Sequence, residues 1–177
     1  MAEKVTIFKL ELWQGDRVNL LRLNTGVMMD NEQQEKIERR WKKYQEMLNY
    51  TNDELAIFRS NPKNVKAMEH APKFITHRII VEVAEAHNCP GGHKAGDKIA
   101  IMTGNALLLT EEMPKYVCAF GLAAAVPRIY AIWERFYEDL DPNGMLHEFL
   151  HCPDVGCRKG GAGEIIMRIY AEEIPRD

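Results

Sequence analysis

Apolar and polar positions alternate along two early stretches, 5–12 and 17–23, with Gln14-Gly15-Asp16 between them, which predicts two strands joined as a hairpin. The period then changes. Ile37, Trp41, Tyr44 and Leu48 recur at helical spacing and predict a helix over 31–49, with Asp30 as N-cap and Gln33 behind it. Glu35 with Arg39, and Glu38 with Lys42, stand four apart and predict ion pairs on its wet face. Thr51 and Glu54 form the signature of a capping box and open a second helix, anchored by Leu55 and Phe58. Asn61-Pro62 predicts the start of a third, with Val65 and Met68 facing inward and Ala71-Pro72 ending it. Residues 24–72 therefore read as a helical insertion or subdomain.

From residue 78 onward the pattern returns to strands. Ile79, Val81 and Val83 alternate with Arg78, Ile80 and Glu82, and a shorter strand is expected at 97–102. A mostly apolar helix is expected over 115–138, kinked or split at Pro127. The last strand, 164–172, sets Ile165, Met167 and Ile169 against Glu164, Arg168 and Glu172. One-sided alternation favours antiparallel pairing with helix on one face. Because strands and helices do not alternate regularly, the fold class is α+β: an antiparallel sheet packed against a long apolar helix, with an N-terminal helical region. The chain reads as a single domain, 1–177, whose α+β core is 78–172.

Composition narrows the function classes. The 177 residues are 46% hydrophobic and 28% charged, which is globular rather than disordered. The net charge of −3 gives no reason to expect nucleic acid, and the basic residues between Lys36 and Lys43 are interleaved with acidic ones. No apolar run approaches the ~18–20 residues that span a bilayer, so no membrane is expected. Met1 to Val5 lack a signal pattern, which makes the cytoplasm the expected location. In that compartment disulfides are rare, so Cys89, Cys118, Cys152 and Cys157 are either buried thiols or ligands and reactive groups.

The candidate chemistry lies in two loops. Cys89-Pro90-Gly91-Gly92-His93 falls between two expected strands, where two glycines let a tight turn bring a thiolate and an imidazole together. His151-Cys152-Pro153-Asp154-Val155-Gly156-Cys157 precedes the last strand through a glycine-rich turn, Gly160 to Gly163. Neither spacing is a C-x-x-C knuckle. On the residues alone, Cys118, on an apolar helix, reads as a buried thiol more often than as a ligand. Cys/His sets of this kind suit zinc, with iron as the alternative. Asp97, Asp154 or Glu164 are then candidates to orient a ligand or act as a base.

The segment from about Arg78 to Glu172 resembles a family of small uncharacterised prokaryotic proteins common in anaerobes and archaea. That family has a strand, a C-P-x-G-H-x-x-G-D motif, a helix opening with a cysteine, and a C-P-D near the last strand. The matching residues are Cys89-Pro90-Gly91-Gly92-His93 with Gly96-Asp97, Cys118 before Phe120 to Ala125, and Cys152-Pro153-Asp154. The resemblance implies that Cys89, His93, Cys118 and Cys152 belong to one metal site, with Cys157 in reserve. A three-cysteine, one-histidine set suits structural zinc, and replacement of His93 by Cys157 would suit an iron–sulfur cluster. The resemblance implies no reaction. An accessory subunit that docks a protein partner through 24–72, or a small metalloenzyme, are the functions in view, and a homo-oligomer is compatible with either. The metal-free alternatives are a cysteine-dependent enzyme and a small-ligand module with a pocket near Tyr130, Trp133 and Met167.

Overall fold

The computed structural model describes residues 31–104, 106–109 and 113–175. The expected hairpin at 5–23 and the Asp30 cap lie outside the described residues. Three helices come first: α1 (Asn31–Leu48), α2 (Asn52–Ser60) and α3 (Pro62–Ile75). Then follow β1 (His77–His87), β2 (Lys98–Met102), the two-residue β3 (Leu108–Leu109), α4 (Ala119–Tyr137), β4 (Phe149–His151) and β5 (Glu164–Glu173). The strands form one antiparallel sheet in the order β3-β2-β1-β5-β4. The architecture is mixed α+β. The short strands β3 and β4 have too few residues to show a period in sequence and lie at the sheet's two edges.

The core follows from the alternation. Ile79, Val81 and Val83 of β1, Ile99 and Ile101 of β2, and Ile165, Met167 and Ile169 of β5 share one buried cluster. Ala125, Ile129, Ile132 and Phe136 of α4 complete it, one residue every three or four. The outer side of α4 exposes Phe120, Val126 and Tyr130, so the helix is buried along one stripe only. Ile80, expected on the wet face with Arg78 and Glu82, is also buried. It lies directly between Ala100 of β2 and Tyr170 of β5, and cross-strand neighbours share a face.

Two prolines were expected to interrupt helices, and neither ends one. α4 runs through Pro127. The N–H that proline lacks would have bonded the carbonyl of Ala123, and both residues face solvent, where water can take the freed oxygen. α3 runs through Pro72 to Ile75, and here the protein supplies the donor itself. Pro72 frees the carbonyl of Met68, and Arg40 Nη1 on α1 donates to the carbonyls of Met68 and Glu69, each at 3.3 Å. Thr76 Oγ1 then donates to the Pro72 carbonyl at 3.1 Å.

The Thr51–Glu54 capping box is seen as expected, Leu48 at the end of the expected apolar stripe is exposed, and one of the two expected ion pairs exchanges its partner. Thr51 Oγ1 accepts from the Glu54 amide at 3.2 Å, and Glu54 Oε2 accepts from the Thr51 amide at 2.8 Å. Glu35 reaches Arg39, but Glu38 pairs with Arg59 of α2 through Nη1 and Nη2 of the guanidinium rather than with Lys42. That Arg59 guanidinium lies 5.0 Å from the ring of buried Trp41, and the Phe58 ring stands edge-on to the same Trp41 at 6.2 Å. α3 in turn packs on α4 and β1, with Lys66 paired to Glu138 and Lys73 to Asp139 at the end of α4.

The Arg40 contact can be tested by a double-mutant cycle. Arg40→Leu should lower unfolding free energy by about 1–2 kcal/mol, the loss of a charged donor to two carbonyls. With Pro72→Ala already in place, the new amide at 72 takes the Met68 carbonyl, and most of that penalty should vanish. Equal penalties in both backgrounds, measured by denaturant unfolding, would show that Arg40 does not stand in for the missing amide.

Candidate functional site

β1 and β5 pair along their whole length, ending at His87 opposite Glu164. Near that end β1 carries a bulge between Val83 and Glu85, which leaves Ala84 as the extra residue and adds local twist. Asn88 follows in the left-handed region at φ 49°, a conformation asparagine tolerates, and turns the chain off the sheet. The stretch from Cys89 to Asp97 is the hairpin loop expected between β1 and β2. Gly92 donates its amide to the Cys89 carbonyl at 3.0 Å and sits at φ 73°, the positive value that a non-glycine residue adopts only with strain. The amide of Asp97 closes a second turn on the Lys94 carbonyl, and Asp97 Oδ2 accepts from the Lys94 amide, both at 3.0 Å.

His93 is only 7% exposed. Its Nε2 lies 3.1 Å from the amide nitrogen of Cys118, and its Nδ1 lies 3.3 Å from Asp97 Oδ2. A backbone N–H can only donate, so Nε2 accepts, and the ring proton sits on Nδ1, from which it is donated in a hydrogen bond to Asp97 Oδ2. A single chain of hydrogen bonds thus joins the hairpin loop to the start of α4, where Cys118 is the N-cap residue and its side chain makes no cap bond.

The third cysteine follows β4. The Cys152 amide donates to the Ile165 carbonyl at 3.0 Å, and Cys152 Sγ accepts from the Ile165 amide at 3.4 Å, so the residue is clamped to β5. The loop beyond it wraps around one carboxylate. Asp154 accepts from the amides of Gly156, Ala162 and Gly163 at 3.1–3.2 Å, and these bonds, that of Gly163 above all, hold its carboxyl below the usual aspartate range. The glycine-rich run is therefore the wrapping around Asp154. Gly163 is required for a second reason: a Cβ there would lie 2.1 Å from the Asn88 carbonyl oxygen, so only glycine lets this loop press against the end of β1.

These three placements converge. Cys89, Cys118 and Cys152 line one cleft of about 430 Å³, together with Pro90, Phe120 and Pro153. Glu164 forms part of its wall and pairs with His151 Nε2 at 3.2 Å; that carboxylate and the Cys152 carbonyl raise the His151 pKa, the carbonyl contributing more. His93 does not line the cleft. It borders a small void of about 10 Å³ between sheet and helix. Its ring edge is nonetheless near Cys89: a methyl placed on Gly91 would lie 3.7 Å from Cys89 Sγ and 3.8 Å from His93 Nε2. Cys157 begins an exposed 3₁₀ turn, Cys157–Lys159, and does not line the cleft. Among the described residues no three His, Cys, Asp or Glu side chains are placed as a group to hold a metal ion. Tyr130, Trp133 and Met167 do not line the cleft; Trp133 Nε1 instead donates to the Thr103 carbonyl at 2.6 Å.

The protein-family models, the curated proteins and the solved structures yield no match to this chain. No described helix is long and apolar enough to cross a membrane. Sequence reasoning missed the amide cradle of Asp154 and the bond from the Cys118 amide to His93. The first had a signal in the spacing of Asp154 to the glycines; the second had none, because it joins a side chain to a backbone group far along the chain.

The Asp154 cradle predicts a pH effect with a definite sign. A carboxyl whose folded pKa is lowered stabilises the loop fully above its unfolded value and loses that contribution as pH falls through the folded value. The amide proton resonances of Gly156, Ala162 and Gly163 should titrate together with a midpoint below the usual aspartate range, and Asp154→Ala should abolish the transition. A midpoint at the usual value would show that the carboxylate is not held by these amides.

Proposed function

We propose that this is a metal-binding protein whose centre is formed by the thiolates of Cys89, Cys118 and Cys152, with zinc as the metal and iron or an iron–sulfur cluster as the alternative. The observation that carries the reading is the convergence of the three thiols. They come from a hairpin loop, a helix N-cap and the loop after an edge strand, and they line one cleft. Ordinary buried cysteines have no reason to share a solvent-reached cleft, since an isolated thiol packs as a small hydrophobe. The donor set fits the metal: soft thiolates select zinc or iron over magnesium or calcium. In the reducing cytoplasm proposed as its location, the thiols stay free to bind. As placed, the side chains do not enclose an ion, so binding entails their reorientation towards one another.

This chain's own residues supply the frame. The Ile165 amide and carbonyl fix Cys152 on β5, the Asn88 turn aims the Cys89 loop, and the start of α4 presents Cys118. A zinc ion held there by Cys89, Cys118 and Cys152 would supply Lewis acidity. The cleft is within the size range of small-molecule sites, which favours a small metalloprotein acting on a ligand over a closed structural site.

Protein purified untagged and anaerobically should carry about one zinc per chain by plasma mass spectrometry. Cys89→Ser, Cys118→Ser and Cys152→Ser should each weaken zinc binding by tenfold or more, about 1.4 kcal/mol or beyond. Cys157→Ser should bind as the parent does. Iron with acid-labile sulfide would select the cluster. Undiminished metal in a Cys89→Ser, Cys152→Ser double variant would overturn the assignment.

A further inference from the structure

We propose that Met145 is a methionine-oxidation site: a hydroperoxide converts its thioether to the sulfoxide, and the guanidinium of Arg128 receives the new oxygen. Neither residue lines the cysteine cleft, and nothing in the site depends on a metal.

Arg128 stands on α4, and its Nη1 donates to Met145 Sδ at 3.4 Å. Its Nη2 is buried and, among the described residues, has no hydrogen-bond partner. A guanidinium carries five donors and no acceptor, and a thioether is a weak acceptor, so this contact leaves the donors poorly matched. A buried donor without a partner is costly, more so when it is charged. The helix itself cannot supply an acceptor side chain: the residues one turn away on the same flank are Ala124, Ala125, Ala131 and Ile132. Met145 is held beside the guanidinium by the turn that precedes it. Arg135 Nε donates to the Asp141 carbonyl at 2.5 Å, and the Asn143 side chain bonds both backbone groups of Ala171, at 2.7 and 2.8 Å. The Met145 side chain packs against the core yet is only half-buried, so a small oxidant can reach it.

Oxidation supplies the acceptor that the contact lacks. Met145 Sδ attacks the outer oxygen of the hydroperoxide. An S–O bond forms and the O–O bond breaks. The hydroxyl proton passes to the departing oxygen, which leaves as an alcohol, or as water when the oxidant is hydrogen peroxide. The sulfur loses two electrons and the peroxide gains them. The product carries a strongly accepting oxygen one bond from the sulfur, beside a guanidinium whose Nη1 and Nη2 form a planar fork. A sulfoxide in a packed site ordinarily disrupts it, because a polar oxygen is buried without a donor. At Met145 the donor is in place before the oxygen arrives.

The full chain is treated with hydrogen peroxide, each methionine peptide is read by mass spectrometry, and urea unfolding is followed before and after. Met145 sulfoxide should form in the folded protein alongside that of Met47, which is 63% exposed. The rise in the unfolding constant caused by peroxide should be about tenfold larger in Arg128→Leu than in the parent, as loss of a hydrogen bond to a charged donor implies. In a Met145→Leu background that difference should vanish, which separates Met145 from the other methionines and from the thiols. Met145→Gln sets an amide oxygen near the place of the sulfoxide oxygen and leaves Arg128 unchanged. Its unfolding constant should stay within about threefold of the parent, because the buried amide oxygen finds a donor. Met145 left unoxidised in the folded chain once Met47 is fully converted would overturn the assignment. An equal peroxide effect in the parent and in Arg128→Leu would do the same. So would destabilisation of Met145→Gln by about tenfold or more, the mark of a polar group buried without a partner.

Discussion

The long antiparallel pairing of β1 with β5 is the constraint on which the rest of the described structure depends. Its two strands are far apart in the chain, yet their register runs from His77 opposite Glu173 to His87 opposite Glu164. Side chains in a strand alternate faces, so a slip of β5 by one residue against β1 would turn Ile165, Met167 and Ile169 away from α4 and from Ile79, Val81 and Val83. The same register decides where the chain leaves the sheet. Asn88 and Gly163 emerge side by side, close enough that no side chain fits at 163, and the two cysteine loops are held together because their strands are.

A second constraint acts on the helix. α4 lies across the buried face, and its N-terminal end must be fixed if Cys118 is to stand beside the other thiols. Apolar packing is not directional and would allow the helix to slide by a fraction of a turn. The hydrogen bonds from Asp97 through His93 to the Cys118 amide are directional, and they lie where water is largely excluded, so an unmade bond there is costly. The imidazole thus converts a loosely specified helix end into a defined one.

The helical region shows the same division between pattern and partner. Its helices are set by capping residues and by an apolar stripe around Trp41, which are local features. Their length is not local. Pro72 should have ended α3, and the helix continues because a guanidinium from α1 takes the carbonyl that proline leaves unpaired. Met68, the residue whose carbonyl is rescued, is itself buried, so the bond and the packing support each other.

Most of the elements were legible in the sequence. Alternation in 78–86 and 164–172, helical spacing through Trp41, and the Thr51 and Glu54 box are short-range signals, and short-range physics decides them. The sequence by itself determined the α+β class, the strand that precedes Cys89, and the hairpin loop that carries Cys89 and His93. Only the tertiary structure decided that Cys118 and Cys152 reach the same cleft while Cys157 does not, that His93 turns to the Cys118 amide, and that Asp154 is spent on its own loop. The physical reason is range. Periodicity reports which face of an element is buried, but the meeting of three loops depends on strand register and helix placement, which arise only when distant segments pack.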